Sequence, residues 1–293
     1  MKSAVTRLAT VMGLLAILIM FAGWYSPAAA QGFPAHAVKI VVPYPVSGPT
    51  DIRGTSRLTK TYKLIAQNAP PAISDTLARM TADAIRQRTR HPVRLERQPG
   101  GATTVGAAKV AHGAADGHTL LLGSNATMLI APHYYLNVKY DGVGDFVLVA
   151  PLVTMPFVLM VNSTLPVDDL RSLIAWLKVR PGEINYGSSG DGSTGHLAGD
   201  RFLRMAGLNA VHVSYNGGIS ALNAVATHHV SYMFAALPLA LPYLSNQYLR
   251  PLAVTTAQRL PELPRMPTIG EAGLPGYEIE GWFGVFAAAR TPP

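Results

Sequence analysis

The sequence predicts an α/β protein of two lobes, each built on a mostly parallel sheet flanked by helices. Its 293 residues, of which 49% are hydrophobic and 14% charged, are enough to fill two separate cores. Strand-like apolar runs alternate with helix-like periodicity, an order that is typical of parallel sheets covered by helices. The middle of the chain, at about 145–252, has strand and helix patterns of its own. This segment indicates a second lobe inserted between two parts of the first.

The first lobe begins with a βαβαβ pattern. Residues 38–42 form an apolar run that stops at Pro43, as expected for a buried strand. Residues 73–88 place their apolar side chains on one face, which predicts an amphipathic helix. The remaining elements of the pattern are strands at 92–96 and 119–123 and a helix at 105–111. This order predicts a parallel sheet.

The second lobe begins after a long β-rich stretch at 146–161, which we expect to carry the chain across from the first lobe. Helices are predicted at 170–179, 196–205 and 219–226, and strands at 184–187, 210–214, 230–234 and 249–255. The last strand returns the chain to the first lobe. We therefore expect lobe 1 at 31–144 and 253–293, and lobe 2 at 145–252.

The first thirty residues have the features of an export signal. Lys2 and Arg7 precede an uncharged stretch at 8–24, and alanines at 28–30 supply the small residues that a signal peptidase requires. We expect cleavage after Ala30 and export to the periplasm. An uncleaved membrane anchor is the alternative, because the uncharged stretch approaches a membrane-spanning length.

The composition narrows the classes of partner and cofactor. The chain has no cysteine, so it forms neither a disulfide framework nor a thiolate metal site. Its net charge of +8 favours anionic partners. Basic residues are spread along the chain without interleaved aromatics, and the arginines between 86 and 97 are most simply a solvated face. We therefore expect no nucleic-acid partner and no cofactor.

Two loops follow strands and open helices. One comprises residues 44–51, and the other, the Gly/Ser loop, comprises residues 188–196. Such junctions expose free backbone N–H groups at the positive end of a helix dipole, and their glycines allow close approach of a ligand. Both loops therefore suit a carboxylate or a phosphate. Ordinary turns with Ser and Thr caps are the alternative.

Other chemistries fit these residues less well. Residues 190–195 have the Gly-x-Gly-x-x-Gly spacing of dinucleotide sites, but residues 211–216 lack the acidic residue that would hold the ribose. Residues 187–191 do not match the Gly-x-Ser-x-Gly elbow of a hydrolase. The adjacent His228 and His229 would point in different directions, which disfavours a shared metal. An exported hydrolase using Ser and His near the Gly/Ser loop is the least favoured function.

Several motifs together resemble one known family. They are residues 40–45, 116–123, 184–190, 192–193, 196–199, 211–213 with Tyr215, 252–255, 267–277 and 282–284. With these motifs the sequence resembles the Bug-type extracytoplasmic solute receptors of tripartite tricarboxylate transporters. The resemblance covers most of the chain after the export signal.

The resemblance implies a type II, Venus-flytrap periplasmic binding protein that is monomeric and not an enzyme. Its ligand would be a small carboxylate, such as a dicarboxylate, a tricarboxylate or an aromatic acid. Its partners would be the membrane subunits of a transporter, or a sensor. The positions that match the family's ligand loops, with nearby candidates, are Tyr44, Ser47, Gly48, Asn125, Thr127, Ser188, Gly190, Ser193, Thr194 and His196.

Three features depart from the family pattern. Residues 52–72 form an insertion beside the first ligand loop. Ala235 and Ala236 stand where the family often has an aspartate, which disfavours ligands with an ammonium group. The sequence ends at Pro293, where relatives continue for about thirty residues. A receptor remnant that no longer binds its ligand is therefore the alternative function.

Overall fold

A computed structural model of the protein describes residues 33–44 and 72–292. Of the described residues, Phe33–His36 belong to a unit separate from the one that begins at Ala37, and everything below concerns the unit that begins at Ala37. The expected export signal and nearly all of the expected insertion at 52–72 lie outside the described residues. Within the described ranges, no helix combines the length and the apolar character needed to cross a membrane.

In the part of the chain that the structure describes, ten strands form two five-stranded sheets. The strands are β1 (Val38–Val42), β2 (Val93–Arg97), β3 (Thr119–Ser124), β4 (Phe146–Met155), β5 (Phe157–Asn162), β6 (Asn185–Ser188), β7 (Val211–Ser214), β8 (Tyr232–Ala236), β9 (Leu249–Val254) and β10 (Gly281–Ala288). The first sheet has the order β2-β1-β3-β10-β4 and the second the order β7-β6-β8-β5-β9. We call each sheet with its helices a lobe.

Each sheet is mixed but mostly runs in one direction. In the first sheet β1 pairs in parallel with β2 and β3, whereas β10 is antiparallel to both β3 and β4. In the second sheet β6 pairs in parallel with β7 and β8, whereas β5 is antiparallel to both β8 and β9. Four of five strands in each sheet therefore point the same way, and the predicted α/β class is confirmed.

Helices cover the sheets and start at their strand ends. They are α1 (Ile73–Thr89), α2 (Thr104–Ala111), α3 (Ala131–Tyr134), α4 (Leu170–Lys178), α5 (Thr194–Ala206), α6 (Gly218–Ala226), α7 (Leu237–Ala240) and α8 (Ile269–Ala272). A 3-10 turn at Gly101–Thr103 precedes α2, a π turn at Ala126–Ile130 precedes α3, and a 3-10 turn at Leu241–Tyr243 follows α7.

Strand pairing and packing bear on where the chain crosses between the lobes, for which the expected limits are 145 and 253. Strand β4 lies within the range expected for lobe 2, yet it pairs with β10 along its length in the first sheet. Pro156 separates β4 from β5, since a proline cannot donate a ladder hydrogen bond. After β9, Ile269 and Tyr277 still pack in the core of the second sheet. We therefore propose that lobe 2 begins at β5 and ends just before β10.

Both faces of each sheet are buried. In β5, Leu159 and Val161 face one core while Val158 and Met160 face the other, because successive side chains of a strand point to opposite faces. The first sheet likewise separates two apolar clusters. When both faces of a sheet are covered, the ends of its strands remain exposed. The two loops predicted to bind a ligand lie at such strand ends.

Asn162, at the end of β5, is a polar anchor in the second core. It is 1% exposed, and its Nδ2 donates to the carbonyl oxygens of Val225 (2.8 Å) and Ala226 (3.3 Å) at the end of α6. Its Oδ1 accepts from Thr164 N (2.9 Å). Because Asn162→Ala leaves these buried groups without partners, we expect the free energy of unfolding in urea to fall by about 2–3 kcal/mol.

Asn185→Ala is the matched control. The Asn185 side chain donates one hydrogen bond, to His229 O (3.1 Å), at a more exposed position. Water can replace that bond, so we expect a loss below about 1 kcal/mol. Equal losses in the two variants would contradict the anchoring role of Asn162.

Candidate functional site

A cavity of about 570 Å³ lies between the two sheets and is lined by residues of both lobes. The first lobe contributes Tyr44 and the starts of α1, of the turn before α2 and of the π turn. The second lobe contributes most of the Gly/Ser loop and the loop that follows β7. The cavity is thus bounded by strand-to-helix junctions, where ligands of α/β proteins usually bind.

The first turns of several helical segments border this cavity. In the first lobe they are at 72–74, 100–103 and 125–126, and in the second at 193–195 and 217–219. The first N–H groups of a helix have no partner within the helix, and they carry partial positive charge. Several such termini around one space make a site for an anion.

Two of these helices leave their first N–H groups for other partners. Helix α1 begins after Ala72 and α6 after Gly217, and neither residue supplies a side-chain cap. Gly217 has φ of 97°, a conformation that favours glycine, and so aligns the chain for the α6 start. By contrast, Ser193 caps α5 by accepting from His196 N (3.3 Å). The first N–H groups of α1 and α6 are therefore available to an acceptor in the cavity.

The cavity walls carry little formal charge. Among the described lining residues, Asp191 is the one charged side chain, and none is Lys or Arg. Apolar walls come from both lobes, including Phe157, Ile219 and Phe283. Within the described lining, attraction for an anion therefore comes from backbone dipoles and neutral hydroxyl and amide groups, while an apolar ligand body can pack on the walls.

Tyr44 stands at the end of β1 as a neutral polar group. Its hydroxyl shares a hydrogen bond of 2.9 Å with Thr127 Oγ1, and its ring packs edge-on against Phe283 at 5.5 Å. Desolvation raises the pKa of Tyr44 to about 12, against smaller lowering effects of hydrogen bonds to Ser124 and Thr127. The tyrosine therefore remains protonated and presents no negative charge to an anion.

Hydrogen bonds join the two lobes at the edge of the cavity. Asn125 Nδ2 donates to Thr194 Oγ1 (3.0 Å), so the π turn of lobe 1 contacts the start of α5. Nearby, the Tyr135 hydroxyl donates to Asp191 O (2.5 Å) in the Gly/Ser loop. These contacts hold the two walls of the cavity together on one side.

Ser188, His212 and Asp191 form a chain that resembles a catalytic triad. Ser188 Oγ lies 2.7 Å from His212 Nε2, and His212 Nδ1 lies 3.4 Å from Asp191 Oδ1. However, Ser188 is fully buried and does not line the cavity. A nucleophile must reach its substrate, so this geometry supports a structural role for Ser188 rather than hydrolysis.

The same region does not fit a metal ion. Ligand atoms of Asp191, His196 and His212 lie within 4.8 Å of one another. Yet the two imidazole rings stack at 3.8 Å with an interplanar angle of 14°. Ring lone pairs lie in the ring planes, so those of two nearly parallel rings cannot converge on one ion.

The structure separates the residues selected from sequence into three groups. Those lining the cavity are Tyr44, Asn125, Gly190, Ser193 and Thr194. Those behind the lining are Thr127, Ser188 and His196, all of them buried. Ser47 and Gly48 lie outside the described residues. Sequence reasoning missed the loop at 215–218, although its Tyr-Asn-Gly-Gly sequence between a strand and a helix is the signal that also identified the Gly/Ser loop.

Comparisons with known proteins agree with this architecture. A family model described as the tripartite tricarboxylate transporter family receptor matches residues 77–293. The protein BugT of Bordetella pertussis is 30% identical over 289 residues, which cover 98% of this chain and 80% of that protein.

Solved structures extend the likeness to the fold. Rpa4515 of R. palustris, solved with adipate, is 33% identical with a TM-score of 0.74, covering 89% of this chain and 79% of that one. MatC (Rpa3494) of Rhodopseudomonas palustris, solved with bound malate, is 29% identical with a TM-score of 0.72, covering 89% of this chain and 80% of that one. The chain has the two-lobe fold of periplasmic binding proteins.

Proposed function

Because the chain belongs to the tripartite tricarboxylate transporter receptor family of solute-binding proteins, we propose that it captures a small carboxylate with an apolar body in the cavity between its lobes. The observation that carries this proposal is the convergence of helix N-termini on a cavity whose described lining lacks Lys and Arg. Backbone N–H groups bind the carboxylate oxygens, and the apolar walls contact the rest of the ligand.

The wall at β8, as distinct from the side of the cavity with Asp191, favours a dicarboxylate or an aromatic acid over an amino acid. Met233, Phe234 and Ala236 occupy the cavity wall near β8, where a ligand ammonium group would need an acceptor with negative charge. The relatives solved with adipate and malate show that this fold holds dicarboxylates. We extend that ligand class to this chain because its cavity offers the matching chemistry.

The proposal includes a cellular setting. The export signal at 1–30, with cleavage after Ala30, delivers the receptor to the periplasm. There it presents its ligand as a monomer to membrane subunits of a transporter or to a sensor. A remnant without ligand binding is the competing account, and the following experiment excludes one of the two.

Thermal unfolding with a panel of acids tests the proposal. We expect adipate, malate or an aromatic dicarboxylate to stabilise the protein, because a ligand at 100 times its Kd adds about 2.7 kcal/mol. For a chain of this size that raises Tm by roughly 5–10 °C. The matched control is the dimethyl ester of each acid, which keeps the apolar body but loses the charge and should give no shift.

Two outcomes would overturn the proposal. A folded protein whose Tm is unchanged by every acid would support the remnant account. Equal stabilisation by acids and esters would show that the apolar walls, and not the helix N-termini, determine binding.

A further inference from the structure

Two histidines outside the cavity lining, one of them the last residue of the Gly/Ser loop, form a stacked pair. The rings of His196, on α5, and His212, on β7, are 3.8 Å apart and nearly parallel. Neither side chain lines the cavity, so neither contacts a ligand there. Their contacts are instead with the loop residues that do.

Each histidine holds a different part of the loop. Gly192 N donates to His196 Nδ1 (3.1 Å), a bond that requires this nitrogen to carry no proton. His212 Nε2 lies 2.7 Å from Ser188 Oγ, and that hydroxyl accepts from Gly190 N (3.1 Å) and donates to Gly190 O (2.9 Å). The pair therefore sets the backbone of the two loop glycines, which border the cavity.

From this geometry we infer that His196 and His212 are positioning residues for the ligand-binding loop, and that acidification releases the loop and weakens acid binding. This inference rests on the proposed function, since it concerns the same site. Protonation of His196 at Nδ1 would turn this acceptor into a donor. Two donors, the ring N–H and the Gly192 N–H, would then face each other. Two stacked imidazolium rings would also repel each other at this distance.

The surroundings determine which protonation state is favoured. His212 faces Asp191 (3.4 Å) and the Tyr186 ring (5.0 Å), and His196 faces Asp200 (3.8 Å) and the Tyr134 ring (5.8 Å). Arg204 in turn approaches Asp200 at 3.9 Å.

Burial and the neighbouring ring set the direction of the pH effect. Desolvation, followed by the charge of His196, lowers the pKa of His212 despite the raising effects of Asp191 and Asp200. His212 thus binds a proton more weakly in the folded protein than in the unfolded chain. The stabilisation of the loop by the histidine pair is therefore fully present above about pH 6.5. It is lost as the pH falls through the lowered pKa of His212.

The loop transmits this change to the opposite lobe. Its Asp191 carbonyl oxygen accepts from the Tyr135 hydroxyl of lobe 1 at 2.5 Å. Release of the adjacent Gly192 therefore also loosens a contact that holds the cavity walls together. The histidine pair therefore affects ligand affinity in two ways, through the backbone of the loop glycines and through the contact between the lobes.

Amide hydrogen exchange of the ligand-free full-length protein, corrected for the intrinsic pH dependence of exchange, tests the positioning role directly. Between pH 8.0 and 5.0, a range that extends well below the usual histidine pKa of about 6.5, we expect the protection of Gly192 N–H to fall by about tenfold, the effect of one pKa unit. His196→Asn places an amide oxygen near the position of Nδ1 without a titrating group. In this variant we expect protection close to wild type at pH 8.0 and little change at pH 5.0.

His212→Gln is the second variant, because its amide can still bond to Ser188 without becoming charged. We expect it to flatten the pH dependence as well. A role that is only structural would lower protection in both variants at all pH values. That result, or a wild-type loop whose protection does not change with pH, would overturn the inference.

Binding of adipate and malate over the same pH range separates this inference from the proposed function. Protonation of the acids themselves affects all three proteins alike, so we expect the affinity of the wild type to fall about tenfold more than that of the two variants. Binding with the same pH dependence in all three proteins overturns the positioning role and leaves the receptor function intact. If neither acid binds while Gly192 protection follows pH, the positioning role stands and the ligand class fails.

Discussion

Asn125→Asp should weaken carboxylate binding by roughly 100-fold while leaving the fold intact. The substitution keeps the shape of the side chain and still accepts from Thr194 Oγ1, which lies 3.3 Å from Asn125 Oδ1. It adds a fixed negative charge among the helix N-termini where we propose that the ligand carboxylate binds. Two charges roughly 5 Å apart at an effective dielectric of about 20 repel by ~3 kcal/mol, which corresponds to a factor of about 100.

Calorimetric titration with the acid that gives the largest thermal shift measures this effect. Asn246→Asp is the matched control, because it makes the same charge change outside the cavity lining and keeps an acceptor for Tyr248 N (2.8 Å). We expect its affinity to equal that of wild type. Unchanged binding by Asn125→Asp would show that the ligand carboxylate lies elsewhere.

Gly199→Ala should strongly destabilise the protein, because it breaks the packing of the helix that follows the Gly/Ser loop. A Cβ at Gly199 would lie 2.1 Å from Tyr186 Cε2. Tyr186 is 1% exposed, and its hydroxyl donates to Asp200 Oδ1 (2.8 Å), so the ring cannot move aside without losing that bond. We expect the free energy of unfolding to fall by about 3 kcal/mol, the upper end of overpacking costs.

Urea unfolding followed by circular dichroism gives this value, and Gly270→Ala provides the control within another helix. A Cβ at Gly270 would meet Thr268 Oγ1 at 3.5 Å, an ordinary contact, and alanine favours the helix. We expect the control to be as stable as wild type or slightly more stable. Comparable losses in the two variants would mean that replacing any helix glycine by alanine destabilises the protein. The contact with Tyr186 would then not explain the effect.

Local sequence patterns predicted the elements that form the cavity better than they predicted strand pairing. The run at 38–42 is β1 as the structure has it, and the helix expected at 73–88 is α1. Both depend on apolar periodicity and on prolines close in sequence. The placement of β4 depends on its pairing with β10, more than a hundred residues away. A β-rich stretch alone cannot show which sheet it joins.

The part of the candidate site that lies within one loop could be predicted from sequence. The part that depends on the pairing of two strands could not. The glycine and serine pattern indicated the Gly/Ser loop directly. His212 lies close to Ser188 because β6 and β7 pair in parallel. The sequence of neither strand indicates this pairing. The absence of Lys and Arg from the described lining is likewise a property of the assembled cavity.

A crystal structure with the acid that most stabilises the protein tests the central claim most directly. We expect the ligand in the cavity between the lobes, with carboxylate oxygens about 3 Å from backbone nitrogens at the starts of α1 and α6. Its hydrocarbon part should contact the aromatic walls, including Phe157 and Phe283. An acid bound outside the cavity, with the amides at these helix starts facing water, would contradict the account.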